Sequence, residues 1–112
     1  MTIIYHIIPR TAWQAWPAGT TYRAESLATE GFIHCTGEPE HLVEVANRYY
    51  RQRSDEFVIL SVNTEALEAE VRWEEANQHR YPHIYGVIEP GAIVAVTPFP
   101  RLDDGTFQQP PL

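Results

Sequence analysis

Two runs, Ile3-Ile4-Tyr5-His6-Ile7-Ile8 and Glu56-Phe57-Val58-Ile59-Leu60-Ser61-Val62, carry the β-branched and aromatic side chains that suit a buried pleated surface. Most of the chain between them has helical character. Thr11 to Trp16 reads as a short helix capped by Thr11, and Glu25 to Glu30 as a second that stops at Gly31. From Pro39 onward Leu42, Val45, Ala46 and Tyr49 recur at helical spacing and define the main helix. After Val62 the pattern turns to strands. Val71 to Glu74 alternates as a half-exposed strand, and His83 to Ile88 and Ala92 to Thr97 are two more, joined by Glu89-Pro90-Gly91. Helices thus dominate the first half and strands the second, which favours an α+β fold over a regular alternation of strand and helix.

The 112 residues suffice for one domain, 1–112, and no internal repeat or linker divides it. With 44% hydrophobic and 21% charged residues, the chain falls in the soluble globular class. No apolar stretch approaches the roughly 18 residues of a membrane span. The N-terminus lacks the basic flank and cleavage site of a signal peptide, so a cytoplasmic location is expected. A net charge of −7 repels polyanions, and the eight basic residues, all arginine, are scattered. Broad nucleic-acid binding is therefore not expected, whereas a small anionic ligand remains compatible with arginine's planar grip.

Three of the five histidines, His6, His34 and His83, fall in predicted strands or at their edges. A group that titrates near neutral pH has little use in a buried strand unless it is a satisfied core residue or part of a site. In period-two order His6 faces the same way as Ile4 and Ile8, both apolar. Cys35 lies beside His34, but neighbouring strand residues face opposite ways, so the thiol is expected in the interior rather than in a dyad. His41 and His79 occupy a polar helix start and a polar loop and are expected in solvent. No local pair has metal-ligand spacing, and Pro82 breaks any helix that would align His79 with His83, so no metal site is expected. No glycine-rich phosphate loop follows a strand. Of the carboxylates Glu74 and Glu75, only one can face a cleft. Glu75 is preferred, because Val71, Trp73 and Glu75 share an otherwise apolar face where burial raises a carboxyl pKa.

Several blocks together resemble the domain-of-unknown-function family numbered 952: Tyr5-His6-Ile7, Ser26-Leu27 with Glu30-Gly31-Phe32-Ile33-His34-Cys35-Thr36, Arg72-Trp73-Glu74, Tyr81-Pro82-His83-Ile84-Tyr85-Gly86, and Asp104-Gly105-Thr106-Phe107. They span nearly the whole chain in order. The family is bacterial, and its fold is similar to that of the ADP-ribosyltransferases, in particular the RNA 2'-phosphotransferase branch. That resemblance implies a split mixed sheet with NAD as substrate or ligand and no required cofactor. It places His6 at a ribose hydroxyl, His34 and Thr36 near the nicotinamide ribose, and His83 or Tyr85 where many transferases keep a catalytic glutamate. Here the chain departs from the pattern, and Glu75 is the substitute carboxylate. Taken over, the catalytic set is His34, His83 and Glu75, and the ligand-holding set is His6, Thr36 and Tyr85. Two readings stand: an ADP-ribosyltransferase-like enzyme, or a small-ligand or protein-binding module in which the histidines are structural.

Overall fold

A computed structural model describes residues 1–112. Six strands and three α-helices follow one another as β1 (Ile3–Pro9), α1 (Arg10–Ala15), α2 (Glu25–Thr29), β2 (Ile33–His34), α3 (Pro39–Tyr49), β3 (Phe57–Asn63), β4 (Glu70–Ala76), β5 (His79–Tyr85) and β6 (Ile93–Pro98). Short 3₁₀ turns precede β4 and β6. Helices come early and strands late, as the sequence pattern requires of an α+β chain.

The strands form two three-stranded sheets, ordered β1-β3-β6 and β2-β5-β4. Every pairing is antiparallel. The mixed sheet implied by the resemblance is corrected accordingly. One cause is local: β4 and β5 are joined by Asn77 and Gln78, both at positive φ (52° and 65°), and so tight a turn admits only an antiparallel partner. The chain after β5 does not fold back as a hairpin on β6. Ile88 instead pairs with Tyr22, and the turn at Pro90–Ala92 delivers β6 to the other sheet.

The two sheets are stitched together. Beyond β2 the chain runs on to Thr36, which exchanges two backbone hydrogen bonds with Tyr5 of β1 (2.9 and 2.8 Å). One surface of this split sheet buries Ile4, Ile8, Ile33, Cys35, Val58, Leu60, Val62 and Ile84 in the larger core cluster. On the other surface α3 packs Leu42 and Ala46 against Phe57, Ile59, Phe99 and Phe107, with Tyr5 and Ile7 beside them. β3 is the central strand and is buried on both sides, hence its unbroken apolar run. Pro39 opens α3 where no backbone N–H is required, and Gly31 ends the α2 connection at φ 89°. Thr11 does not cap α1. Pro9 stands at that position, and no side chain caps the helix.

Candidate functional site

Alternation along the strands decides where each histidine goes. His6 follows Ile4 and precedes Ile8 on β1, so it enters the larger core and is only 7% exposed. Its Nδ1 lies 2.7 Å from the His34 carbonyl oxygen and its Nε2 3.1 Å from the Tyr22 hydroxyl. A carbonyl can only accept, so Nδ1 carries the proton and the Tyr22 O–H donates to Nε2. Burial holds the His6 pKa down at about 4, so the ring is neutral near pH 7. Burial likewise raises the Tyr22 phenol well above its usual range. Both His6 nitrogens are committed within the protein, and neither is left for a ribose hydroxyl. His6 therefore does not join His34 and His83 at one site: it supports the backbone of His34 from the opposite side of the sheet.

His34 and His83 do meet. Residue 34 alternates with the buried Ile33 and Cys35 and so faces the α3 side, where it pairs directly with His83 across the β2–β5 ladder. Their rings stand 5.4 Å apart, edge to face. Phe32 covers His83 in a stack at 4.2 Å and also touches His34 and Tyr85. His34 is largely exposed and reaches Glu30 at 3.0 Å. His83, only 8% exposed, presents Nδ1 to Glu74 Oε1 at 2.8 Å, and the Tyr85 hydroxyl donates to that same oxygen at 2.6 Å. The Arg72 guanidinium lies 4.3 Å from the centre of the Tyr85 ring. The hydrogen bonds from Tyr85 and His83 lower the Glu74 carboxyl pKa, and the one to Glu74 raises that of Tyr85. Glu74 is accordingly an anion that orients His83 through Nδ1. The other ring nitrogen, Nε2, has no protein partner and is not sealed from solvent.

Glu74, and not Glu75, is thus the carboxylate at the histidines. Val71, Trp73 and Glu75 do share a face, with Val71 packed on the larger core, but Glu75 itself is exposed and opposite Arg80. Its side chain points away from His83. Thr36 is buried, with its backbone locked to Tyr5. Cys35 is 5% exposed, and burial pushes its thiol pKa far up, which leaves an inert core residue as expected.

Register was the signal that would have found Glu74. Across the two-residue turn at Asn77-Gln78, Arg72 lies opposite His83 and Glu74 opposite Tyr81, which puts Arg72, Glu74, His83 and Tyr85 on one face. Strand β5 starts at His79, ahead of the expected His83, because Pro82 and its neighbours are extended. His41 and His79, expected in solvent, are only partly exposed and lie with ring centres 3.9 Å apart, beside Glu38. A concavity of about 420 Å³ lies elsewhere: Trp13, Trp16, Pro17, Thr20, Pro90 and Ile93 line it, and none of the histidines does.

A small α+β domain with a split antiparallel sheet and a carboxylate-backed histidine on one face is the class that fold and site define. The model of the family described as protein of unknown function, DUF952, matches residues 7–96, and the chain belongs to that family. It is similar to the crystal structure of protein CC0527 from Caulobacter crescentus, with 28% identity, a TM-score of 0.80, and coverage of 96% of this chain and 94% of that one. The solution NMR structure of CC0527 gives 28% identity and a TM-score of 0.76 over 96% and 93% of the two chains. No curated protein matches the chain.

Proposed function

We propose that the His34–His83 face binds NAD or a related nucleotide and that His83 takes up a proton there, in a reaction of the ADP-ribosyltransferase type. The observation that carries this reading is the double donation to Glu74 Oε1 from His83 Nδ1 and Tyr85. It fixes the imidazole and leaves Nε2 as an oriented base for a ribose hydroxyl or an incoming nucleophile. The half-buried Phe32 ring offers a surface for stacking, and Arg72, which pairs with Glu70 at 3.0 Å, supplies a positive charge for a phosphate. Glu74, held as an anion, favours the positive charge that develops on a ribose when its bond to nicotinamide breaks.

A second reading, ligand binding without turnover, has its own support. Glu74 Oε1 is already engaged by two donors, and the exposed Glu75 adds no second carboxylate to the face. NAD and ADP-ribose should raise the melting temperature of the wild-type protein, and His83→Ala should remove that shift while keeping the fold. Nicotinamide release by wild type but not by Glu74→Gln selects the enzyme; a thermal shift without release selects the binding module. No shift with any adenine nucleotide would overturn both forms of the proposal.

A further inference from the structure

Apart from the His34–His83 face, one other set of polar side chains converges. Glu38 immediately precedes α3, His41 lies in the first turn of that helix, and His79 opens β5. Continuing the β2–β5 ladder past His34 and His83 brings residue 38 opposite residue 79, on the same side of the sheet. The distances follow from that register. Glu38 Oε2 is 2.9 Å from His79 Nε2 and 3.4 Å from His41 Nε2, and one donor atom from each of the three residues falls within 4.8 Å of the others.

The contacts inside this group are not those of a hydrogen-bonded network. Glu38 Oε2 and His79 Nε2 are both removed from solvent, yet neither makes a hydrogen bond, even though they face each other at 2.9 Å. Two buried polar atoms so close and yet unpartnered are both left to be satisfied by a shared third group. Ligands held about 2.0–2.2 Å from a tetrahedral ion stand roughly 3.3–3.6 Å apart; the 3.4 Å Glu38–His41 separation meets that, and the 2.9 Å Glu38–His79 separation would open by about 0.4 Å on binding. On its other side, His41 Nδ1 lies 3.5 Å from Glu44 Oε2, so a carboxylate stands behind the ring at ion-pair distance. Arg48 in turn holds Glu44 at 2.9 Å.

We propose that Glu38, His41 and His79 form a binding site for one divalent transition-metal ion of the zinc class. Two imidazoles with one carboxylate suit zinc, cobalt or nickel, whereas magnesium and calcium require a shell of oxygens. Three protein ligands leave a fourth position, and the partial exposure of all three side chains lets water occupy it. Such an ion ties the start of α3 to the tip of the β4–β5 hairpin. The site lies four residues along β5 from His83, about 13 Å by strand rise, and is independent of the proposed nucleotide face.

The test is a titration of chelator-treated full-length protein with zinc chloride by calorimetry, repeated with cobalt chloride while following the visible absorption of four-coordinate cobalt. One equivalent should bind, with a rise in melting temperature, and millimolar magnesium should neither bind nor compete. His79→Ala and Glu38→Gln should each weaken zinc binding by about 100-fold or more, and Glu44→Gln by about tenfold. Glu38→Gln preserves side-chain size, so its result stands even if His79→Ala disturbs the hairpin. His34→Ala and His83→Ala should bind zinc as wild type does, which separates this site from the nucleotide reading. Absence of binding at 100-fold molar excess of zinc would overturn the proposal. So would undiminished binding by Glu38→Gln, or loss of binding on removing His34.

Discussion

His6 and His83 lie on opposite faces of one split sheet, and the difference between them separates support from chemistry. Each residue is less than 10% exposed. His6 spends both nitrogens on the protein, one on a backbone carbonyl and one on a buried phenol, and is kept neutral by burial. His83 spends only Nδ1, and on a carboxylate that is partly exposed. Burial alone therefore does not mark a functional histidine. The number of its nitrogens left uncommitted, and the charge that holds the other, are more informative.

Deleting each ring in turn separates the two roles. His6→Ala empties a packed core position and strands the Tyr22 hydroxyl and the His34 carbonyl without partners. It should cost about 3–5 kcal/mol, read as a lowered urea midpoint. His83→Ala should cost about 1–2 kcal/mol, because its ring borders solvent and Glu74 retains Tyr85. Equal losses would erase the distinction between the two faces.

Acid should expose the same asymmetry. The His6 pKa is lowered from 6.5 to about 4 on folding, so the unfolded chain takes up a proton that the folded chain refuses. The associated stability is fully present above about pH 6.5 and is lost as pH falls toward about 4, for a total of about 3 kcal/mol. Denaturant midpoints measured between pH 7 and pH 4 should decline across that window. In His6→Gln, which cannot titrate, the slope over those pH values should flatten.

Gly37 links the two faces, between Thr36 bonded to Tyr5 and Glu38 at the start of α3. A Cβ there falls 2.6 Å from the Trp73 ring, at its outer edge, and Trp73 is 40% exposed. The indole can swing outward. Gly37→Ala should therefore cost only about 1 kcal/mol and shift tryptophan emission to the red, and the red shift should vanish in a Trp73→Phe background.

Much of this architecture could be read from the chain. The apolar run of β3, the stripe of α3, the Gly31 stop and the inward Cys35 each follow from local pattern, because a side chain's neighbours in sequence decide its environment there. The Asn63 side chain accepts from the Glu65 N–H and caps the 3₁₀ turn that follows β3. The site was harder to read because it depends on register. Choosing Glu75 rested on which face of β4 is apolar, whereas the chemistry depends on which face β5 shares with it, a matter set by a turn at Asn77-Gln78 that lacks the glycine of the usual hairpin signal. His41 and His79 failed for the same reason: polar neighbours suggested solvent, but a ladder extended past β2 brings them together at Glu38.

The smallest effect on stability is also the most direct probe of the His83 side. Tyr85→Phe removes one of two hydrogen bonds to Glu74 Oε1 and leaves the ring to pack against Phe32 and Arg72. Because the Tyr85 bond is the largest cause of the lowered Glu74 pKa, its loss should move that carboxyl back up toward the ordinary range. The sign follows from linkage. A carboxyl whose pKa is depressed on folding adds stability at pH values above its unfolded pKa and forfeits it as pH falls through the folded one, so Tyr85→Phe should lose its Glu74 contribution at a higher pH than wild type does. Carbon-detected NMR titration of the Glu74 carboxyl measures the shift directly. An unchanged Glu74 titration in Tyr85→Phe would mean that the phenol does not bear on the carboxylate in solution, and the contrast between a committed His6 and a poised His83 would lose its electrostatic basis.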